Sequence, residues 1–191
     1  MDNCLLILGA GGYGQLVKEI AVQTGKYAKI DFLDDRNPSA CGTLEDYEAF
    51  HQQYDCAFVA MGDPQLRLQW IEKLDRSGYE LPVLIHPQAY VSPSAILERG
   101  TMVEPMAVVS TGAIVETGGL LCAGCVINHN ARFCRGVRST VMRWWNRMLL
   151  YPHRLRCFAA PYLRGSKVIV CIRNLENDWL ILCCPAVASL C

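Results

Sequence analysis

A chain of 191 residues, 52% hydrophobic and 19% charged, can bury one good core or two small ones, which excludes a disordered polar chain. Its 18 basic and 18 acidic residues cancel, and no apolar run approaches the roughly 18 residues that a membrane span requires. The start, Met1-Asp2-Asn3-Cys4, lacks a basic n-region and the eleven cysteines are odd in number, so a cytoplasmic chain with reduced thiols is expected rather than a secreted disulfide framework.

Cys4 to Leu8 is a short apolar run that ends in Gly9-Ala10-Gly11-Gly12-Tyr13-Gly14, after which Leu16, Val17, Ile20 and Ala21 recur at helical spacing. The order is strand, glycine turn, helix. Gly9, Gly11 and Gly14 satisfy G-x-G-x-x-G, where missing side chains let the backbone turn tightly, approach phosphate oxygens and aim helix N-terminal amides at them. Ile30 to Leu33 reads as a second strand, and Asp34-Asp35 lies about 20 residues past the turn, where an acidic side chain can meet a ribose or a base. Cys56 to Met61 makes a third strand ending at Gly62-Asp63, Pro64 opens an amphipathic helix through Leu74, and Leu81 to Ile85 is a fourth strand. This half ends at residue 86, too short for a full dinucleotide domain, so a nucleotide or nucleotide sugar suits it better than NAD. The nucleotide candidates are Gly9, Gly11, Gly12, Tyr13, Gly14, Asp34, Asp35 and Gly62.

From Val91 a period of six is unbroken: Val91, Leu97, Val103, Val109, Val115, Leu121, Ile127 and Phe133 are all apolar. Four residues after the first seven stand Ala95, Thr101, Ala107, Ala113, Gly119, Cys125 and Ala131, all small. A triangular prism needs this alternation, with each hexad a short parallel strand, the large residue inside and the small one at the corner. Eight segments give somewhat under three coils of a β-helix. Cys122-x-x-Cys125 with His129 has the look of a zinc half-site, but the repeat sends the two thiols apart and no second pair exists, so no metal is expected.

The glycine-turn domain, the His86-Pro87 junction, the hexad repeat and the His129-Asn130 pair together resemble the sialic acid O-acetyltransferase and PglD-like sugar acyltransferase family. The resemblance covers residues 3 to 137 and rests on Leu6–Gly14, Phe32–Asp35, Ala60–Asp63, His86–Ser94 and Ile127–Asn130. It implies an N-terminal Rossmann-like α/β domain over 1–86 and a left-handed β-helix over 87–137. It also implies acetyl transfer from acetyl-CoA, a co-substrate rather than a bound cofactor, to the oxygen or nitrogen of a nucleotide-activated amino sugar or sialic acid, for surface glycan synthesis. The family forms homotrimers, with no role for nucleic acid or membrane. His129 matches its catalytic histidine, which takes a proton as the sugar attacks the thioester. Asn130 stands where the family carries Asp or Glu, and a neutral amide can orient an imidazole but cannot offset its developing charge. The competing readings are a nucleotide-sugar-binding module without chemistry and, less favoured, a fragment of an NAD-linked oxidoreductase.

After Val137 the pattern fails, because Ser139 and Arg143 fall on the next large and small positions. The balance of basic to acidic residues also changes, from 10 against 16 up to Val137 to 8 against 2 beyond it. Met and Trp have single codons, so the frame one nucleotide earlier can be deduced: position 145 becomes Val and 146 Glu, and CTN and CGN codons make 143 and 149 Ala. The hexad then resumes in register. A single-nucleotide frameshift near Gly136 to Arg138 accounts for this, so residues 138–191 are expected to be out of frame, poorly ordered and without functional content. The coils that would hold acetyl-CoA are expected beyond residue 137, and their loss would leave the chain weak in acetyl-CoA binding and turnover.

Overall fold

The computed structural model describes residues 3–139 together with 168–173 and 179–184. Strand β1 (Asn3–Leu8), helix α1 (Gly12–Thr24), strands β2 (Tyr27–Leu33) and β3 (Cys56–Val59) and helix α3 (Pro64–Arg76) form the N-terminal layer, with a short helix α2 (Tyr47–Phe50) in the β2–β3 connection. The sheet is parallel, in the order β2-β1-β3. Leu5 to Leu8 are fully buried because helices cover both faces, the reason this strand reads as an unbroken apolar run. Asp63 caps α3 by accepting the Leu66 N–H at 2.7 Å, and Pro64 fills the first turn, where its missing N–H costs nothing.

Nine two-residue strands follow, from β4 (Leu84–Ile85), β5 (Tyr90–Val91) and β6 (Ile96–Leu97) to β7 (Met102–Val103), β8 (Val108–Val109) and β9 (Ile114–Val115). The third coil is β10 (Leu120–Leu121), β11 (Val126–Ile127) and β12 (Arg132–Phe133). They stack in parallel as three faces, β4-β7-β10, β5-β8-β11 and β6-β9-β12, with partners eighteen residues apart such as Leu84, Met102 and Leu120. This is a left-handed parallel β-helix of three described coils behind an α/β domain. Val103, Val109, Val115 and Leu121 inside the prism are fully buried, as are the corner residues Thr101, Ala107 and Ala113, which is the large–small alternation at work.

One strand belongs elsewhere than the sequence suggests. Leu84–Ile85, expected as the fourth strand of the nucleotide fold, pairs with β7 and opens the first coil. Ile85 falls six residues before Val91, so the repeat starts one hexad early, and the His86-Pro87 junction lies inside the solenoid. An apolar dipeptide before a turn satisfies either assignment, and only the pairing partner decides.

The two parts share a core. Each strand has one inward and one outward residue, and the outward row Leu84, Met102 and Leu120 is buried against Val17, Ile20 and Ala21 of α1 and Leu5 and Ile7 of β1. The outward residues of the other faces are apolar too except Arg132 of β12, and Tyr90, Val126 and Ile96 are exposed. Of the expected out-of-frame segment, the structure describes Arg138, Ser139 and an antiparallel pair, β13 (Val168–Arg173) and β14 (Trp179–Cys184); the rest lies outside the described residues. The solenoid runs slightly past the point where its pattern fails. Ser139, a polar residue at a large position, is tolerated because its hydroxyl accepts the Cys122 N–H at 2.7 Å. Among the described residues no helix is long and apolar enough to cross a membrane.

Truncating one member of the shared row should destabilise both parts together. Leu120→Ala should lower the unfolding free energy by about 2–5 kcal/mol, read as a shift of a single urea transition with unchanged slope.

Candidate functional site

The glycine turn divides its labour. Gly9 has φ +104° and sits against the Ala60 carbonyl, while a Cβ on Gly14 would stand 2.0 Å from the Gly9 oxygen, so both are required by packing. Gly11 and Gly12 have open space where a Cβ would be, which leaves the α1 N-terminus approachable by a phosphate. Beside it, an open cleft of about 430 Å³ is lined by Gly11, Asp34, Arg36, Asn37 and Pro38.

Asp34 lines this cleft, but most of its carboxylate is already committed. It accepts N–H bonds from Ala10 at 2.7 Å, Arg36 at 2.8 Å and Asn37 at 3.0 Å, and these hold it below the usual carboxylate range. Three of about four acceptor positions are filled, so its main work is to tie the β2 loop to the glycine turn. The Asn37 amide adds a bond to the Ala10 carbonyl at 3.0 Å. Asp35 faces away and accepts the Leu44 N–H at 3.0 Å, so the two neighbouring acids are not equivalent.

Gly62 enters the structure through its carbonyl. That oxygen accepts from Arg67, a fully buried guanidinium whose acceptors are all backbone: Met61 at 2.6 Å, Gly62 at 3.2 Å, Gly118 at 3.0 Å, and the carbonyls of Asp63 and Gly136. Arg67 therefore clasps the loop after β3 to two stacked corners of the β-helix. Sequence reading missed it, since an arginine on an amphipathic helix defaults to the solvent face.

His129 is exposed at the corner that follows β11. Asn130 beside it has φ +54°, and the left-handed conformation recurs every six residues at Gly100, Met106, Gly112, Gly118, Gly124, Asn130 and Gly136. Asn is the second-best residue for that conformation after Gly, which gives position 130 a backbone reason independent of chemistry. Its side chain turns back along the prism, with Oδ1 2.4 Å from where a Cβ on Gly112 would lie, one coil earlier. In the sequence this third period shows as glycines six apart at 112, 118 and 124 and again at 100 and 136. Cys125 is buried, its thiol pushed up to about 11 by desolvation, and no metal-binding group of three or more His, Cys, Asp or Glu occurs among the described residues.

The model of the PglD N-terminal domain matches residues 4–74. A UDP-N-acetylbacillosamine N-acetyltransferase of Bacillus subtilis (strain 168) is 31% identical over 106 residues, which is 51% of this chain and 49% of that one. The acetyltransferase domain of PglB from Neisseria gonorrhoeae FA1090, solved with acetyl coenzyme A, is 34% identical with a TM-score of 0.69, over 72% of this chain and 70% of that one. The chain belongs to the PglD-like sugar acyltransferases. PerB from Caulobacter crescentus, solved with CoA and GDP-perosamine, superposes with a TM-score of 0.65 at 26% identity, over 71% of this chain and 68% of that one. This PglD-like chain spans about half the length of the curated relative it matches.

The Asp34 ties carry a pH signature. A carboxyl held low in the folded state stabilises above its unfolded pKa, near 3.9, and that stabilisation is lost as pH falls through the lower folded value. Asp34→Asn should lower the melting temperature at pH 7 and flatten its fall between about pH 5 and pH 2, measured by thermal scans across that range.

Proposed function

We propose that this chain is built for acetyl-CoA-dependent N-acetylation of a nucleotide-activated amino sugar, with the nucleotide on the glycine-turn cleft and His129 as general base. The observation that carries the reading is the likeness, over 72% of the chain, to a PglB domain solved with acetyl coenzyme A, together with an exposed histidine on the β-helix edge. The nitrogen acceptor is chosen over oxygen because the Bacillus relative is an N-acetyltransferase. Gly9, Gly11, Gly12, Tyr13, Gly14, Asp34 and Gly62 build the nucleotide end, Asp34 and Gly62 chiefly by holding the loops in place, while Asp35, turned to the Leu44 N–H, supports the loop from behind. A cytoplasmic location fits the odd number of cysteines.

In the reaction the sugar amine attacks the thioester carbonyl and His129 accepts the amine's proton. The tetrahedral adduct then expels CoA as a thiolate, which takes up a proton as the base is reset. Asn130 leaves the imidazolium without an adjacent carboxylate, so a smaller part of the barrier is removed at this step than a His–Asp or His–Glu pair removes. The same feature supports the second reading, a module that binds the sugar nucleotide without turnover.

His129 stands on the edge between the two faces whose outward rows Tyr90, Val108, Val126 and Ile96, Ile114 are left uncovered or half-covered by the chain itself. A homotrimer packed on those rows would bring a neighbouring β-helix to that edge and complete the groove for acetyl-CoA. The coils beyond residue 139 would form the rest of that groove, and the frameshift reading removes them.

Three measurements test this. Resequencing the gene and its transcript across the codons for Cys134 to Met142 should show one nucleotide misplaced. In thermal-shift assays the 191-residue chain should be stabilised by nucleotide sugars and little by acetyl-CoA, whereas robust acetyl transfer by that chain would contradict the loss of the groove. Once the frame is restored, His129→Ala should lower kcat by about 10²- to 10⁴-fold with sugar-nucleotide affinity unchanged.

A further inference from the structure

Three glutamates follow large positions of the repeat and tie one coil to the next. Glu98 accepts the Thr117 N–H at 2.9 Å, Glu116 accepts that of Arg135 at 3.1 Å, and Glu104 accepts that of Ala123 at 3.0 Å, each nineteen residues ahead. The second oxygens differ. Glu116 uses its own in an ion pair with Arg132, and Glu98 is only half-buried. Glu104 is only 7% exposed, and its Oε1 is buried without a hydrogen-bond partner. The coil tie explains one oxygen of Glu104 and leaves the other unexplained, at the desolvation cost that buried polar atoms normally avoid.

The surroundings of that oxygen point to a guest. Glu104 lies at the seam between the β-helix and the glycine turn, close enough to Tyr13 to help burial push its phenol up. The Tyr13 hydroxyl has only a thioether for an acceptor, Met102 Sδ at 3.9 Å, so two under-satisfied polar groups face one seam. Arg138, the first residue of the segment expected to be out of frame, is exposed over it, its guanidinium 5.0 Å from the Tyr13 ring, its Nε donating to Cys122 Sγ at 3.5 Å and its charge attracted by Glu104. A side chain held by a weak sulfur acceptor and a ring can swing aside. Tyr13 lies in the first turn of α1, the helix whose N-terminus borders the cleft, so the cleft and the seam are built on the same helix end.

We propose that Glu104 is a specificity-determining residue whose free carboxylate oxygen receives the ammonium group of the amino sugar and discriminates against the corresponding hydroxy sugar. This inference rests on the nucleotide-sugar reading above. Glu104 precedes β8 and His129 follows β11, so they stand at opposite edges of one face. Glu104 would thus hold the resting ammonium within the chain, and the attack proposed above would follow loss of that proton, with the amine meeting the His129 of a neighbouring copy in the trimer rather than its own. A carboxylate gains more from a cationic donor than from a neutral one, so the charge at position 104 favours nitrogen over oxygen.

Titration calorimetry at pH 7 with UDP and GDP, and with matched nucleotide-linked 4-amino and 4-hydroxy sugars, tests it on the 191-residue chain. The wild type should bind the amino ligand at least about tenfold more tightly than the hydroxy ligand. Glu104→Gln keeps an oxygen for the Ala123 N–H and should erase that preference while leaving the bare nucleotide and the unfolding midpoint unchanged. A wild type that does not discriminate overturns the proposal whether or not the variant folds. So does a variant that keeps the preference, or one that loses bare-nucleotide and sugar binding in equal proportion. Failure of the wild type to bind any nucleotide ligand would sink the nucleotide-sugar reading and this proposal together, whereas binding without discrimination sinks only this one.

Discussion

The structure depends on one buried row. Leu84, Met102 and Leu120 point outward from the β-helix, and α1 covers them with Val17, Ile20 and Ala21, so one face of the prism serves as part of the α/β domain's core. At about 25 cal/mol per Å² of apolar surface removed from water, such a row is enough to fix the two parts as one body and not as beads on a linker. The glycine turn at the start of α1 is thereby held against the β-helix. A nucleotide bound there, as proposed, would be presented to the solenoid without any hinge.

Polar groups at the seam refine what the apolar row fixes. Arg67 carries a charge into a site with no exposure and satisfies it entirely with carbonyls, from the loop after β3 and from the corners at Gly118 and Gly136. Orientation is the gain, since apolar contact alone permits sliding whereas a planar guanidinium with fixed donor directions does not. Glutamates do the corresponding work between coils, and Glu104 is the one whose second oxygen that work leaves over.

The β-helix obeys three periods of six at once. Large residues fill the prism, small ones sit four places later, and every corner needs a residue with positive φ. Gly meets the third requirement at five of the seven positions, Met106 and Asn130 at the other two. The residue after His129 is therefore constrained by the corner before catalysis is considered, and Asn satisfies the corner while giving up the carboxylate that an imidazolium would use. Structure and chemistry compete for the same position.

The sequence by itself determined what is local or periodic. The order strand, glycine turn, helix was legible from Gly9, Gly11 and Gly14, and the β-helix from large residues six apart, because each hexad repeats the same steric demand. His129 and Asn130 were legible as a pair by resemblance, and the loss of pattern at Ser139 by its departure from the repeat. Tertiary structure alone decided which partner each short element found. Leu84–Ile85 joined the β-helix, Asp34 spent its carboxylate on three backbone N–H groups, and Arg67 went inward. The physical reason is common to all three: a hydrogen-bonding group announces its capacity in the sequence, but its partner lies tens of residues away and is set only when α1 closes on the face of the prism.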